Sequence, residues 1–122
     1  MPTSSDRALF DTNVLVYAMN QAAEHHAASR ALRDRALARV IDICLTPQVL
    51  LEYFAVVTSP SHLTRPLPPS DALADVEKLA AAFPLVHPPA DLHERGLANG
   101  ISHIYTYDEG FGRIPGITAL RP

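Results

Sequence analysis

Three carboxylates occupy places in this chain where a fold has little need of charge. Asp11 separates two apolar runs, Ala8-Leu9-Phe10 and Val14 to Ala18, in the stretch ALFDTNVLVYAMN. Glu52 lies in VLLEYFAVV, residues 49–57, among apolar neighbours. Asp108 closes the segment SHIYTY and is followed by Glu109, Gly110 and Phe111. Each has an ordinary reading: a capping aspartate, a solvent-facing glutamate on a two-sided helix, a turn signal before glycine. Together they say more. Acids gathered in a low-dielectric crevice repel one another, and an isolated buried carboxylate costs on the order of several kcal/mol. A hard divalent cation, Mg²⁺ or Mn²⁺, relieves both penalties and prefers oxygen ligands. An acid-only cluster with open metal positions activates water and steadies charge on phosphorus oxygens, which is the chemistry of phosphoryl transfer.

Other groupings are poorer. His25 and His26 are adjacent, point to different helix faces and read as exposed polar side chains; His87, His93 and His103 have no metal-ligand spacing. The glycines are scattered toward the C-terminal end and form no phosphate loop. No serine or cysteine sits in a nucleophile elbow. A phosphoacceptor receiver would need a late lysine, and the one lysine, Lys78, is mid-chain.

The acids must be carried by a single domain, since the chain has 122 residues. Its 48% hydrophobic residues supply an aliphatic core, with no Trp and 7% aromatics. The single cysteine, Cys44, excludes an internal disulfide framework and suits a reducing cytoplasm; within the apolar run Val40 to Leu45 it reads as a buried, inert thiol. No export signal and no membrane-spanning run is evident. The net charge of −3 argues against strong unspecific attraction to nucleic acid, so an acidic protein of this kind would meet a polyanion through the metal.

The pattern of elements puts the acids in one place. After a frayed start over residues 1–6, Arg7 to Phe10 reads as a buried strand, with Asn13 or Thr12 capping a helix over Val14 to Met19. Residues 22–39 form an Ala- and Arg-rich helix whose apolar face is Ala28, Leu32 and Ala36. Val40 to Leu45 is a second strand, and Thr46-Pro47 opens a helix running to about Thr58. The Pro-rich loop over 59–70 leads to a helix over Asp71 to Ala82 capped by Ser70. Pro84 to His87 is a third strand, a short helix begins near Ala90, Asn99-Gly100 is a turn, Ile101 to Tyr107 is a fourth strand and Gly116 to Leu120 an edge strand. Alternating strands and helices imply an α/β fold: a central, mostly parallel sheet of four to five strands with helices on both faces. The working site of such sheets lies at the carboxyl ends of the strands. Asp11 and Asp108 end two strands, and Glu52 rises from a helix that begins at a third.

At these residues the chain resembles the PIN-domain ribonucleases, in particular the VapC-type toxins of bacterial toxin–antitoxin pairs. LFDTNVLVYA looks like the opening motif, with Asp11 as its first metal-binding acid and Asn13 as the polar residue beside it. TPQVLLEYFAVVT looks like the second, with Glu52, and SHIYTYDEGFGRIPGI like the closing motif, with Asp108 as the last acid. The resemblance runs over almost the whole chain and implies a PIN-like three-layer α/β/α domain over residues 1–122. It further implies a Mg²⁺- or Mn²⁺-dependent endoribonuclease that cuts RNA phosphodiesters, a homodimer, and inhibition by a cognate antitoxin. Two departures stand out. The family carries a further acid opening the helix before the closing strand, and DLHERGLANGISHI is too short to hold it: residues 88–100 leave 13 positions for a crossover that needs a dozen or more. A helical stretch is therefore missing near 95–97, and Asp91 is a poor stand-in for the absent acid. Gly110, in turn, stands where relatives often have another aspartate. A PIN fold that has lost part of its metal site and acts only as a protein-binding module is the alternative.

Overall fold

The computed structural model describes residues 7–87, 101–110 and 117–122. The element order is β1 (Ala8–Phe10), α1 (Thr12–Met19), α2 (His26–Leu37), β2 (Ile43–Cys44), α3 (Pro47–Val57), α4 (Pro69–Ala82), β3 (His103–Tyr105) and β4 (Thr118–Leu120). The strands form one sheet in the order β2-β1-β3-β4, and every pairing is parallel. This is the expected α/β class, with β4 at an edge as expected. The sheet has four strands, with a single bridge between Leu45 and Leu85 beyond β2.

That bridge is what becomes of the expected strand Pro84 to His87. Leu45 donates its N–H to the Pro84 carbonyl (3.0 Å) and accepts from Val86 N–H (2.9 Å). Pro84 has no N–H to extend the ladder, so proline confines this segment to an edge contact. The short helix near Ala90, the turn at Asn99-Gly100, the stretch near 95–97, Asp91 and Gly116 at the start of the expected edge strand lie outside the described residues.

Register decides which side of the sheet each residue faces. Ala8 and Phe10 point to the main core, which takes Leu15 from α1, Leu32 from α2, Leu50, Tyr53 and Val57 from α3 and Ala72 from α4. Leu9 points the other way. Pairing sets it beside Cys44 and Ile104, and this row, with Ile101, makes a second, smaller core against which Val86 and Ile117 pack. Among the described residues no helix is long and apolar enough to cross a membrane.

The helix starts follow local chemistry, with three shifts from expectation. The Thr46 hydroxyl accepts from Val49 N–H (3.1 Å) and Pro47 occupies the first turn of α3, as the sequence implies. The cap of α1 is Asp11, not Thr12 or Asn13: the strand ends directly on the cap, in extended geometry (φ −74°, ψ 159°). Helix α4 begins at Pro69, so Ser70 lies inside it and no side chain caps it. In α2 the buried face is Ser29, Leu32 and Ala36 while Ala28 is exposed. Ser29 is buried because its hydroxyl is paired with that of Tyr107 at 3.0 Å.

Cys44 is fully buried. Burial pushes its thiol above the ordinary range, Arg7 pulls it down and Asp42 adds to the rise. A raised pKa and no access both suppress the thiolate. The native chain is therefore expected to leave its thiol unlabelled by a disulfide reagent at pH 8 over minutes, and to react once per chain in denaturant. Fast labelling of the native chain would contradict this packing.

Candidate metal and nucleic-acid site

Asp11 sits at the carboxyl end of β1, half-buried, and its backbone N–H donates to the Tyr105 carbonyl at the end of β3 (3.0 Å). Its Oδ1 accepts from Thr12 N–H (2.8 Å). Its Oδ2 accepts from the Thr106 hydroxyl (2.7 Å) and, more weakly, from the Asn13 amide (3.3 Å). The strand-to-helix turn thus fixes the carboxylate from its own chain, and the neighbouring strand fixes it from 95 residues away.

Glu52 lies at the middle of α3. Its Oε2 accepts from the Thr12 hydroxyl (2.6 Å) and its Oε1 from the Gln48 amide (3.2 Å). Glu52 is exposed, so the cost of a buried charge does not explain it. The hydroxyl of Thr12 is what holds it toward Asp11. Asp108 is exposed as well. Its N–H donates to the Thr106 hydroxyl oxygen (2.9 Å) and its Oδ1 accepts from Gly110 N–H (2.8 Å). A Cβ at position 110 would lie 3.1 Å from that Oδ1, so a side chain there would crowd the carboxylate.

The three acids therefore share one edge of the sheet and one hydrogen-bonded frame. Thr12 ties Glu52 to the Asp11 turn, and Thr106 ties the Asp108 turn to Asp11. Asn13 closes the frame, accepting from Tyr107 N–H through its Oδ1 (3.3 Å). Sequence reasoning missed both threonines. The available signal was their position near an acid at a strand end, Thr12 directly after Asp11 and Thr106 two residues before Asp108, where a hydroxyl can donate to a carboxylate. It overstated mutual repulsion: two of the three carboxylates face solvent, where screening weakens it.

Among the described residues, the ion pairs are Arg7 with Asp42, Arg33 with Asp34 and Arg121 with Glu109, and none neutralises Asp11, Glu52 or Asp108. The donor set is all oxygen, which suits a hard divalent cation. Among the described residues, however, no group of three or more His, Cys, Asp or Glu side chains is close enough to hold a metal ion. His25 and His26 also depart from expectation. The His25 ring stacks on Tyr107 (4.1 Å, 15°), and His26 Nδ1 lies 2.8 Å from the Tyr17 carbonyl, so both fasten the start of α2 to the site's edge.

A sequence family described as PIN domain matches residues 7–96. Ribonuclease VapC48 of Mycobacterium tuberculosis (strain CDC 1551 / Oshkosh) is 32% identical over 96 residues, 79% of this chain and 61% of the relative. The chain thus spans less than two thirds of that relative's length. Ribonuclease VapC37 of Mycobacterium tuberculosis (strain ATCC 25618 / H37Rv) is 28% identical over 138 residues, 93% of this chain and 96% of the relative. That span exceeds the 122 residues of this chain, so the relative carries residues with no counterpart here. Two solved structures share the fold. One is VapC20 of Mycobacterium tuberculosis, described as a Sarcin-Ricin loop cleaving toxin (TM-score 0.63, 17% identity, 94% of this chain and 99% of that one). The other is VapBC2 of Rickettsia felis bound to a promoter DNA fragment (TM-score 0.56, 16% identity, 94% and 98%).

Proposed function

The chain belongs to the PIN-domain family, and from that premise we propose that it is a divalent-metal-dependent endoribonuclease, a VapC-type toxin held in check by a cognate antitoxin. The observation that carries this reading is the frame around Asp11. A carboxylate at the end of β1 is oriented on both oxygens by donors from its own turn and from Thr106, and the same threonines bring Glu52 and Asp108 to the same edge. The ribonuclease names of the two relatives support the reaction class.

In this reading Asp11, Glu52 and Asp108 would hold Mg²⁺ or Mn²⁺, Glu52 and Asp108 closing on the ion from their exposed positions, with Asn13 orienting Asp11. An ion held there would supply a Lewis acid for the phosphodiester and would lower the pKa of water. The chain's own part is positional. Thr106 gives its one proton to Asp11 and Thr12 gives its proton to Glu52, so each carboxylate has one oxygen fixed by a hydroxyl at this edge of the sheet. Preorganisation of this kind costs no rearrangement when charge develops on the phosphoryl oxygens. We further assign the residues lacking a counterpart in VapC37 to the short 88–100 connection, within a single domain over residues 1–122. The resemblance to VapC toxins also supports a homodimer in the cytoplasm, and the likeness to the VapBC2 complex supports the antitoxin partner.

The test is cleavage of single-stranded RNA by the full chain with Mg²⁺ or Mn²⁺ against an EDTA control. Cutting is expected with the metals and a loss of at least a hundredfold with EDTA. Undiminished cutting in EDTA overturns the metal assignment. The absence of three clustered ligating side chains among the described residues favours one second reading, a PIN fold that only binds a protein partner. It predicts no cutting with either metal.

A further inference from the structure

We propose that Arg121 holds a non-scissile phosphate of the RNA strand, from a fixed platform of Tyr107 and His25 that ends beside Asp108. This rests on the nuclease reading. A site of three carboxylates on a chain of net charge −3 repels the phosphates on either side of the one it cuts, and a cation placed outside the cluster would offset that repulsion. Arg121 has the right place. It lines one cleft with Asp108, Glu109 and Leu120 at the carboxyl ends of β3 and β4.

It is also held there. Its guanidinium carbon lies 5.2 Å from the centroid of the Tyr107 ring. That ring is itself fixed: it stacks on His25, meets Tyr17 edge-on at 5.3 Å, and its hydroxyl pairs with Ser29. Its backbone N–H bonds to Asn13, so the platform moves with the Asp11 turn. An arginine stacked this way loses less freedom on binding than one waving in solvent, and its planar fork of donors matches phosphate geometry. The Glu109 carboxylate touches it at 4.0 Å, with Glu109 itself 91% exposed. A pair that long and that wet is weak, so an incoming phosphate displaces it readily. A plain surface arginine would explain the ion pair but not a stack of Arg121, Tyr107 and His25 whose central ring is tied to Asn13 beside Asp11.

The experiment measures binding of a fluorescein-labelled single-stranded oligoribonucleotide by anisotropy over a range of NaCl concentrations. The full chain carries Asp11→Asn to prevent cutting, with and without Arg121→Ala or Arg121→Lys. Arg121→Ala is expected to weaken binding about five- to tenfold at low salt and to lower the slope of log Kd against log [NaCl] by about 0.7, the signature of one lost phosphate contact on a single strand. Arg121→Lys is expected to restore the slope but only part of the affinity, because a lysine keeps the charge and loses the planar fork. An unchanged slope in Arg121→Ala, whatever the affinity, overturns the assignment. Failure of the Asp11→Asn parent to bind RNA at all overturns the nuclease reading as well, and so is told apart from failure of Arg121 alone.

Discussion

Asp11→Asn is expected to lower the rate of RNA cleavage about a thousandfold or more while leaving the melting temperature within a few degrees. The two halves have separate causes. Asparagine caps a helix about as well as aspartate, so its oxygen can still accept from Thr12 N–H and α1 keeps its start. The Thr106 hydroxyl already accepts from Asp108 N–H and, at 3.4 Å, from the Asn13 amide, so a new amide at position 11 competes only with that long contact. What disappears is the negative charge at the one acid fixed by both strands. Loss of the several kcal/mol of transition-state stabilisation that a metal supplies amounts to about three orders of magnitude in rate. Asp11→Ala separates the roles further, since it also removes the cap, at about 1 kcal/mol. Metal-dependent cutting that survives Asp11→Asn would remove Asp11 from the chemistry; a collapse in melting temperature would make it chiefly a structural residue.

The largest effect on stability is expected one residue earlier. Phe10→Ala should cost about 3–5 kcal/mol, which for a domain of this size lowers the melting temperature by roughly 10–20 °C. Phe10 is 1% exposed and meets Phe83 (6.2 Å, 63°) and Tyr105 (5.9 Å, 78°), both edge to face. Its removal opens a cavity where β1, β3 and the end of α4 converge, and the Asp11 turn stands directly on that floor. Leucine at the same place keeps most of the volume and should cost markedly less. Calorimetry on both variants checks the ranking. Equal costs would show that shape at this position matters little.

How far the sequence could be read follows from what each part depends on. The α/β class, the order of elements and the edge position of β4 rest on periodicity, and periodicity is local. Thr46-Pro47 was legible for the same reason. The cap of α1 was legible only as one of three candidates: the rule that places a cap before the first apolar residue points to Asn13 or Thr12, and strand pairing with β3, which holds Asp11 in extended backbone, selects the aspartate. Pro84 to His87 has strand composition, but a missing N–H limits it to one bridge. Asp11, Glu52 and Asp108 were visible as charges out of place. Thr12 and Thr106, which orient them, were not, since a threonine at a strand end has many uses and only tertiary contact selects this one. Likewise nothing in two adjacent histidines announces that one lies flat against a tyrosine 82 positions further along.

The bond between Thr106 and Asp11 has one more consequence. It joins residues 95 apart in the sequence, and β1 finds its partner β3 only when that distant strand has been made. Contacts so distant in sequence slow folding, because the entropy of closure is lost before any reward arrives. During synthesis, residues 8–87 emerge with Asp11 still missing its far-side support. On the proposed reading the acidic site is therefore not assembled on the ribosome until β3 and Thr106 have been made.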